Sequence, residues 1–388
     1  MRDKLKIAIY SGVIPSSTFI ERLINGLASK HACEIYLFGI VKNKSDYHAN
    51  VTIAGFKNKK WYKIIHLIRY SVLLYLFRLK DKKKLDAILK SQDRNTLLDK
   101  IKFYPVLWHK PDVFHLQWAK GLKDWIWVKE FGIKLVLSLR GTQINFSPIV
   151  DSSVRAAYKT YFPKVDMFHA VSKAIALEAE KYAAKQEKIK VIYSGLHLEP
   201  LTNAIKKDDS VFNILSVGRP HSIKGYTYAL DACKLLKDNG VKFKYTIIGA
   251  QGNIQLAYQI KDLGLEAEVV LSKQKPFDTV QKMMQSSNVL VLPSLTEGIA
   301  NVALEAMSLQ TLVLTTDCGG MTEVIQDSYN GFVVPIRNSE KLAEKLIEIN
   351  TMPKNEQLKI TQNALKTVKE QHNEAQMLAK MFELYKNV

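Results

Sequence analysis

Short, almost wholly apolar runs alternate along the chain with longer segments in which apolar residues recur every three or four positions. In the first half Lys6–Tyr10 (KIAIY), Cys33–Ile40, Asp112–Leu116 (DVFHL), Leu135–Leu139 (LVLSL), Asp166–Ser172 (DMFHAVS) and Lys188–Tyr193 read as strands. In the second half Val211–Val217, Phe243–Gly249, Val269–Leu271, Val289–Leu292 and Thr311–Thr315 do so. Runs that are apolar on both faces mark parallel strands covered by helices on either side. Helical stripes lie between them. Phe19, Ile20, Leu23, Ile24 and Leu27 make one within Thr18–Lys30, others cover Phe277–Ser286 and Asn301–Leu309, and a long helical tail runs over Asn355–Val388. A polar linker over Leu198–Ser210 (LEPLTNAIKKDDS) divides this pattern, and 388 residues suffice for two cores. The expected fold is α/β, with two doubly wound domains at 1–198 and 199–370.

The densest stretch is Leu290–Ile325, LVLPSLTEGIANVALEAMSLQTLVLTTDCGGMTEVI. It reads as strand, loop, helix, strand, loop and a further helix starting near Met321. In parallel sheets ligands sit at the carboxyl ends of strands, where these loops lie. Glu305 has Val302, Ala303, Leu304, Ala306 and Met307 around it, so the helix is apolar nearly all round and Glu305 is expected to be buried. A buried carboxylate needs a partner, and the vicinal hydroxyls of a ribose would suit it. Asn301, one turn earlier, lies nearer the helix start, where free N–H groups attract a phosphate. A surface glutamate at 305 and an ordinary loop charge at 297 are the plainer alternative.

Two cations on another strand-end loop bear on the same chemistry. Val211–Val217 delivers Gly218-Arg219-Pro220, with Lys224-Gly225 following before a helix. Arg219 and Lys224 together can neutralise a dianionic leaving group.

Charge changes the picture of the first half. Residues 1–200 hold 35 Lys and Arg against 17 Asp and Glu, whereas residues 201–388 hold 21 against 20. Within Lys57–Lys84 there are ten basic residues and one acid, Asp81, interleaved with Trp61, Ile64, Ile65, Ile68, Val72, Leu73, Tyr75, Leu76 and Leu79. Basic flanks around an apolar, aromatic-bearing helix suit an anionic membrane surface, so residues 57–84 are expected to dock there. A helix packed on the domain with a solvated basic edge is the other reading. The uncharged run Tyr70–Phe77 is too short to span a bilayer. No nucleic-acid motif accompanies the charge. Cys33, Cys233 and Cys318 show no metal-ligand or disulfide spacing, which points to a reducing compartment. The interrupted run Ile7–Ile14 is a first strand and not a signal peptide. D-x-D, P-loop and simple dinucleotide fingerprints are absent from the sequence.

Glu297 and Glu305 are separated by seven residues, and EGIANVALEAM resembles the E-x7-E signature of retaining glycosyltransferases of family 4. GRPHSIKG is similar to that family's G-R-x-x-x-x-K-G, and Gly319–Ile325 with Asn330-Gly331 to its G-G-x-x-E-V-I and N-G segments. PSSTFIERL resembles the P-x-x-S-E-T-F-I opening of some members, with Ser17 in place of Glu. Arg140-Gly141-Thr142-Gln143 stands where many members carry H-G-x-D, so Arg140 replaces the histidine and Gln143 the acid. The resemblance implies a GT-B architecture, two Rossmann-like domains facing a cleft, with residues 371–388 bracing the first domain. It implies transfer of a hexosyl group from a nucleotide-diphosphate sugar, a UDP-sugar first among them, with retention and without metal or other cofactor. Arg219 and Lys224 would hold the diphosphate, and Glu297 the sugar ring, these three being the catalytic set. Gly12, Gly218, Gly298, Ile299, Ala300, Asn301, Val302 and Glu305 would line the donor. Ser16 and Arg140 would lie on the acceptor or sugar side, Arg140 as a fork for phosphate or carboxylate. A glycan or lipid-linked saccharide is the implied acceptor, in surface polysaccharide synthesis at the cytoplasmic face of the membrane. An NDP-sugar epimerase, or a non-catalytic membrane- or polyanion-binding scaffold, are the alternatives on the same fold.

Overall fold

The computed structural model describes residues 4–30, 33–43, 45–198 and 210–388. The expected linker over Leu198–Ser210 lies, apart from its two ends, outside the described residues. The chain divides into two compact units. The first holds residues 1–171, 175–192 and 377–388, and the second residues 172–174 and 193–376.

The first unit carries an eight-stranded sheet of β1 (Leu5–Ile14), β2 (Cys33–Val41), β3 (Val51–Ile53), β4 (Phe56–Lys57), β5 (Val113–Leu116), β6 (Lys134–Leu139), β7 (Met167–Ala170) and β8 (Ile189–Val191). Its order is β3-β2-β1-β5-β6-β7-β8, with β4 also pairing β2, and every pair is parallel. The second unit has β9 (Phe212–Val217), β10 (Phe243–Ile248), β11 (Val269–Ser272), β12 (Val289–Leu292), β13 (Leu312–Thr316) and β14 (Phe332–Val334), ordered β11-β10-β9-β12-β13-β14 and also parallel. That order is the dinucleotide-fold order, in which strand direction of travel reverses once. The reversal falls between β1 and β5 in the first unit and between β9 and β12 in the second. Loops leaving those strands therefore border an open crevice, which is where ligands bind in such sheets.

Three expectations need correction. β1 does not stop at Tyr10: its register with β2 shifts between Tyr10 and Gly12, and pairing resumes to Ile14. Gly12 therefore sits in a bulge inside the strand, not in a strand-end loop. The segment 57–84 is not one helix but Lys60–Phe77 and Leu79–Ser91, broken at Arg78. The tail is likewise two helices, Lys354–Gln371 and Glu374–Lys386. The break follows from backbone pairing: Leu196 N donates to His372 O (2.8 Å) and Glu374 N to Leu196 O (3.1 Å), which takes that turn out of helical bonding.

From Met377 onward the last helix belongs to the first unit. Leu378, Met381, Leu384 and Tyr385 are buried with Ile7 and Ile9 of β1 and with Leu23, Ile24 and Leu27 of the helix Thr18–Lys30. Fully burying four large side chains of this kind contributes about 1.5–3 kcal/mol each.

Candidate functional site

Two loops meet at the carboxyl ends of β9 and β12. The first, Gly218–Gly225, closes with a short 3-10 turn over Ser222–Lys224. The second, Pro293–Ala300, leads into the helix Asn301–Ser308. Leu295 N donates to Ile223 O at 2.7 Å, which ties the loops together. Gly225 has φ +65°, and a Cβ there would lie 1.9 Å from Pro293 O, so no other residue fits. This close approach carries Lys224 onto Glu297. Lys224 Nζ and Glu297 Oε1 form an ion pair, and Ser294 Oγ donates to the same oxygen at 3.0 Å. The two side chains are 23% and 13% exposed, so the pair is shielded but still reachable.

Below the pair is Gly218. An added Cβ there would meet Tyr226 Oη at 2.8 Å and the Lys224 Cε at 3.6 Å. Tyr226 is 4% exposed, and its hydroxyl has no hydrogen-bond partner among the described residues. Burial, with the nearby Glu297 charge second, pushes the phenol pKa well up, so it stays a donor. Arg219 follows Gly218 directly, is exposed, and has no side-chain hydrogen bond or ion pair among the described residues.

Gly298, Ile299 and Ala300 are buried, and Asn301 and Val302 partly so. Of the five N–H groups expected to face a donor, that of Ala300 is directed at Met321 Sδ (3.4 Å). Those of Gly298, Ile299, Asn301 and Val302 have no acceptor among the described residues. The helix has no side-chain cap at Ala300, so its positive end is open. Glu305 is half-buried and not buried: Ala303, Leu304, Ala306 and Met307 make the inward stripe, and Glu305 falls between that stripe and solvent. From behind, the turn Gly319–Glu323 locks the loop. Gly319 has φ +52° with a Cβ position 2.0 Å from Glu297 O. The helix expected from Met321 is only the 3-10 turn Met321–Glu323. Its Glu323 accepts from Lys173 N and Ala174 N (both 2.8 Å) and from Tyr193 Oη (3.0 Å).

In the first unit, Ser16 and Arg140 follow β1 and β6. Ser16 N donates to Glu21 Oε1 at 2.6 Å. The Arg140 guanidinium lies 4.3 Å over the Phe19 ring and donates from Nη2 to Gln117 Oε1 at 3.2 Å. Burial lowers its pKa to about 10. Beside it runs a hydrogen-bond chain whose direction can be assigned. His169 Nε2 can only donate to the Ile192 carbonyl (3.0 Å), so its Nδ1 accepts from Ser138 Oγ (2.9 Å). Ser138 Oγ then accepts from His115 Nε2 (2.8 Å), and His115 Nδ1 accepts from Tyr385 Oη (2.7 Å). Both imidazoles are neutral in this arrangement, and burial holds their pKa values down, that of His169 to about 3.

Residues 199–367 match the family model described as Glycosyl transferases group 1. Over those residues the second unit is similar to the group 1 glycosyl transferases. WcaL of Escherichia coli K12, a glycosyltransferase whose name provisionally assigns it to colanic acid biosynthesis, is 24% identical over 342 residues, 85% of this chain and 79% of WcaL. AmsK of Erwinia amylovora, an amylovoran biosynthesis glycosyltransferase, is 29% identical over 228 residues, 56% of this chain and 55% of AmsK. The crystal structure of Anabaena HepE in complex with UDP-glucose matches with a TM-score of 0.71 at 15% identity, covering 99% of this chain and 100% of HepE. That likeness shows the fold, an α/β structure with two parallel sheets of GT-B type.

The second unit thus holds Gly218, Arg219, Lys224, Glu297 and the Gly298–Val302 turn around one switch point, whereas Gly12, Ser16 and Arg140 belong to the first unit. Sequence reasoning missed Ser294 and Tyr226. Ser294 had no signal beyond a strand-end Ser. Tyr226 had one: a hydroxyl placed immediately after Lys224-Gly225, at the first position of a helix whose inward stripe is otherwise apolar.

Proposed function

We propose that the chain is a retaining hexosyltransferase that moves a sugar from a UDP-sugar to a glycan or lipid-linked saccharide during surface polysaccharide synthesis. The observation that carries this reading is the Lys224–Glu297 pair at the switch point of a unit that matches the group 1 glycosyl transferase model, beside the open N-terminus of Asn301–Ser308. The names of WcaL and AmsK support polysaccharide synthesis, and the UDP-glucose held by HepE supports a uridine donor.

In this reading Arg219 and Lys224 take the diphosphate, with the N–H groups of Gly298, Ile299, Asn301 and Val302 on its oxygens or on sugar hydroxyls. They stand where a metal would otherwise neutralise the leaving group. Glu305 takes the ribose. Glu297 holds the sugar ring and stabilises the positive charge that develops at the anomeric carbon. The bond to the departing diphosphate breaks as the acceptor oxygen bonds on the same face, and a diphosphate oxygen receives the acceptor's proton. Positioning and electrostatic stabilisation, of the leaving group and of the anomeric carbon, are then the protein's whole contribution.

The same reading places the chain at the cytoplasmic face of an anionic membrane. In the helix Lys60–Phe77 only Tyr70 and Leu74 are buried, while Trp61 is 75% and Phe77 70% exposed among basic residues. No described helix is long and apolar enough to cross a membrane. Apolar side chains in the headgroup boundary and cations on anionic lipid fit such a helix.

The test is thermal shift against UDP, GDP, ADP and CMP and their sugars, followed by product analysis with a polyprenyl-diphosphate saccharide. A ligand at a hundred times its Kd adds about 2.7 kcal/mol to the folded state. A shift with uridine nucleotides that is lost in Glu305→Ala, and an acceptor-dependent α-linked product, are expected. Turnover of the nucleotide sugar without acceptor would point to an epimerase, and no shift with any nucleotide would sink the reading.

A further inference from the structure

We propose that Arg140, Gln117 and Phe19 form an oxyanion subsite in the first unit that receives a phosphate or diphosphate group of the acceptor. The proposal deepens the reading above and rests on it for the word acceptor; the subsite itself stands on the geometry of the first unit alone.

Placement comes first. Gln117 follows β5, Arg140 follows β6, and Phe19 lies in the first turn of the helix that follows β1. These are the carboxyl ends of β1 and β5, which flank the reversal point of the first sheet, and of β6 beside β5; ligands of parallel sheets bind at such ends. Trp118 Nε1 donates to Ser11 O at 3.1 Å and holds the β1 and β5 ends together beside them.

Charge comes second. Arg140 is a cation with no carboxylate partner among the described residues. Its neighbours are neutral. Gln117 Oε1 takes one N–H, the Phe19 face takes the flat of the guanidinium, and His115, His169 and Tyr385 lie close enough to feel its charge. Nε is buried and has no hydrogen-bond partner. Gln117 cannot improve on this, because its Nε2 lies against the His115 ring, 3.0 Å from Nδ1 and 3.2 Å from Nε2, and its oxygen is already used. A stacked, largely desolvated guanidinium with one neutral hydrogen bond leaves most of its donors and its charge unanswered. Stacking on Phe19 holds the plane fixed, so the remaining donors form a preset fork. A planar fork of this kind suits two oxygens of one oxyanion, which a lysine or a histidine could not match. Ser17 Oγ, at the start of the helix that carries Phe19, is also buried without a partner.

The competing account is structural: Arg140 clamps Phe19 to Gln117 and binds nothing. The two separate in solution. Thermal shift of the full chain is read with inorganic pyrophosphate, with sodium glucuronate and with UDP. It is carried out in Lys224→Ala, to remove the donor-side cation, with and without Arg140→Gln. The expected result is that pyrophosphate still stabilises Lys224→Ala, and that adding Arg140→Gln weakens its binding at least tenfold. Arg140→Gln alone should keep the wild-type response to UDP and raise the KM for a diphosphate-linked acceptor. Should Arg140→Gln melt too low to assay, Arg140→Lys replaces it. It keeps the charge, loses the fork, and is expected to weaken pyrophosphate severalfold. Pyrophosphate binding that ignores residue 140 would overturn the subsite. A response to glucuronate alone would overturn the phosphate assignment. An Arg140-dependent pyrophosphate response in a protein that ignores every nucleotide would leave the subsite standing and remove the proposed function instead.

Discussion

Lys224 Nζ is ion-paired with Glu297 Oε1, although one residue follows β9 and the other β12. If the proposed roles hold, the pair is self-inhibiting, because a donor diphosphate must compete with Glu297 for the same ammonium. Glu297→Gln should then bind UDP as tightly as wild type or up to about tenfold more tightly, a gain of about 1.4 kcal/mol. The same variant should transfer sugar about 10²–10³-fold more slowly, the usual size for loss of one electrostatic contact to a transition state. Lys224→Ala should lose in both measurements. Calorimetric titration with UDP and initial rates check this, and UDP binding weakened by Glu297→Gln would contradict it.

Tyr226→Phe tests what lies beneath that pair. A buried hydroxyl without a partner costs about 1–3 kcal/mol, so removing it should stabilise the free protein. For a domain of this size the melting temperature should rise by roughly 2–4 °C per kcal/mol. If the hydroxyl serves a bound donor instead, the additional stabilisation by UDP should shrink in the variant. A rise without ligand combined with a smaller UDP increment is the expected signature. A fall in melting temperature without ligand would mean that the hydroxyl is satisfied in solution.

The close approach of the two loops can be separated from simple backbone strain. Gly225 and Gly240 have nearly the same φ, +65° and +71°, but a Cβ at 225 would strike Pro293 O whereas one at 240 would meet nothing within 4 Å. Gly240→Ala should cost about 1–2 kcal/mol, the conformational penalty alone. Gly225→Ala should cost at least about 2 kcal/mol more, because a carbonyl must move and with it the register of Lys224 on Glu297. Denaturant midpoints of the two variants, with UDP binding measured on each, decide the point. Equal losses would show that the loops can part without cost.

Sequence patterning carries the sheets far because parallel strands are buried on both faces. Phe277–Ser286 is found as expected, and most strand bounds agree to within a residue or two. The gathering of Arg219, Lys224 and Glu297 at one switch point was legible for the same local reason: each lies in a loop that leaves a strand end. What failed depends on long-range partners. The tail breaks at His372 because Leu196, remote in sequence, takes its backbone groups. Gly12 sits in a bulge set by pairing with β2. Glu305 is half-buried because only an orientation about the helix axis, fixed by the sheet, decides which side of an apolar helix faces inward. The setting of Arg140 was likewise invisible, since Phe19 and Gln117 join it from other strand ends.

The buried histidines make stability depend on pH with a definite sign. His115 and His169 are held neutral by burial in the chain that runs from Tyr385 to Ile192 O. His66, within the helix Lys60–Phe77, and His109, packed against Tyr70 of that helix, are held down to about 4, again mainly by burial. Each has a folded pKa below the unfolded value of about 6.5, so the unfolded chain binds more protons. Their contribution is therefore complete above about pH 6.5. It is lost as pH falls, at up to about 1.4 kcal/mol per pH unit for each histidine, until about pH 4 for His66 and His109 and about pH 3 for His169. Urea midpoints between pH 7.5 and 5 should be flat at first and then fall steeply below about 6.5. His169→Gln should unfold more easily at pH 7, where it breaks the Ser138 and Ile192 bonds, yet show a slope smaller by one proton below pH 6. A slope unchanged by that substitution would mean that His169 is protonated in the folded chain, which the assigned direction of its hydrogen bonds does not allow.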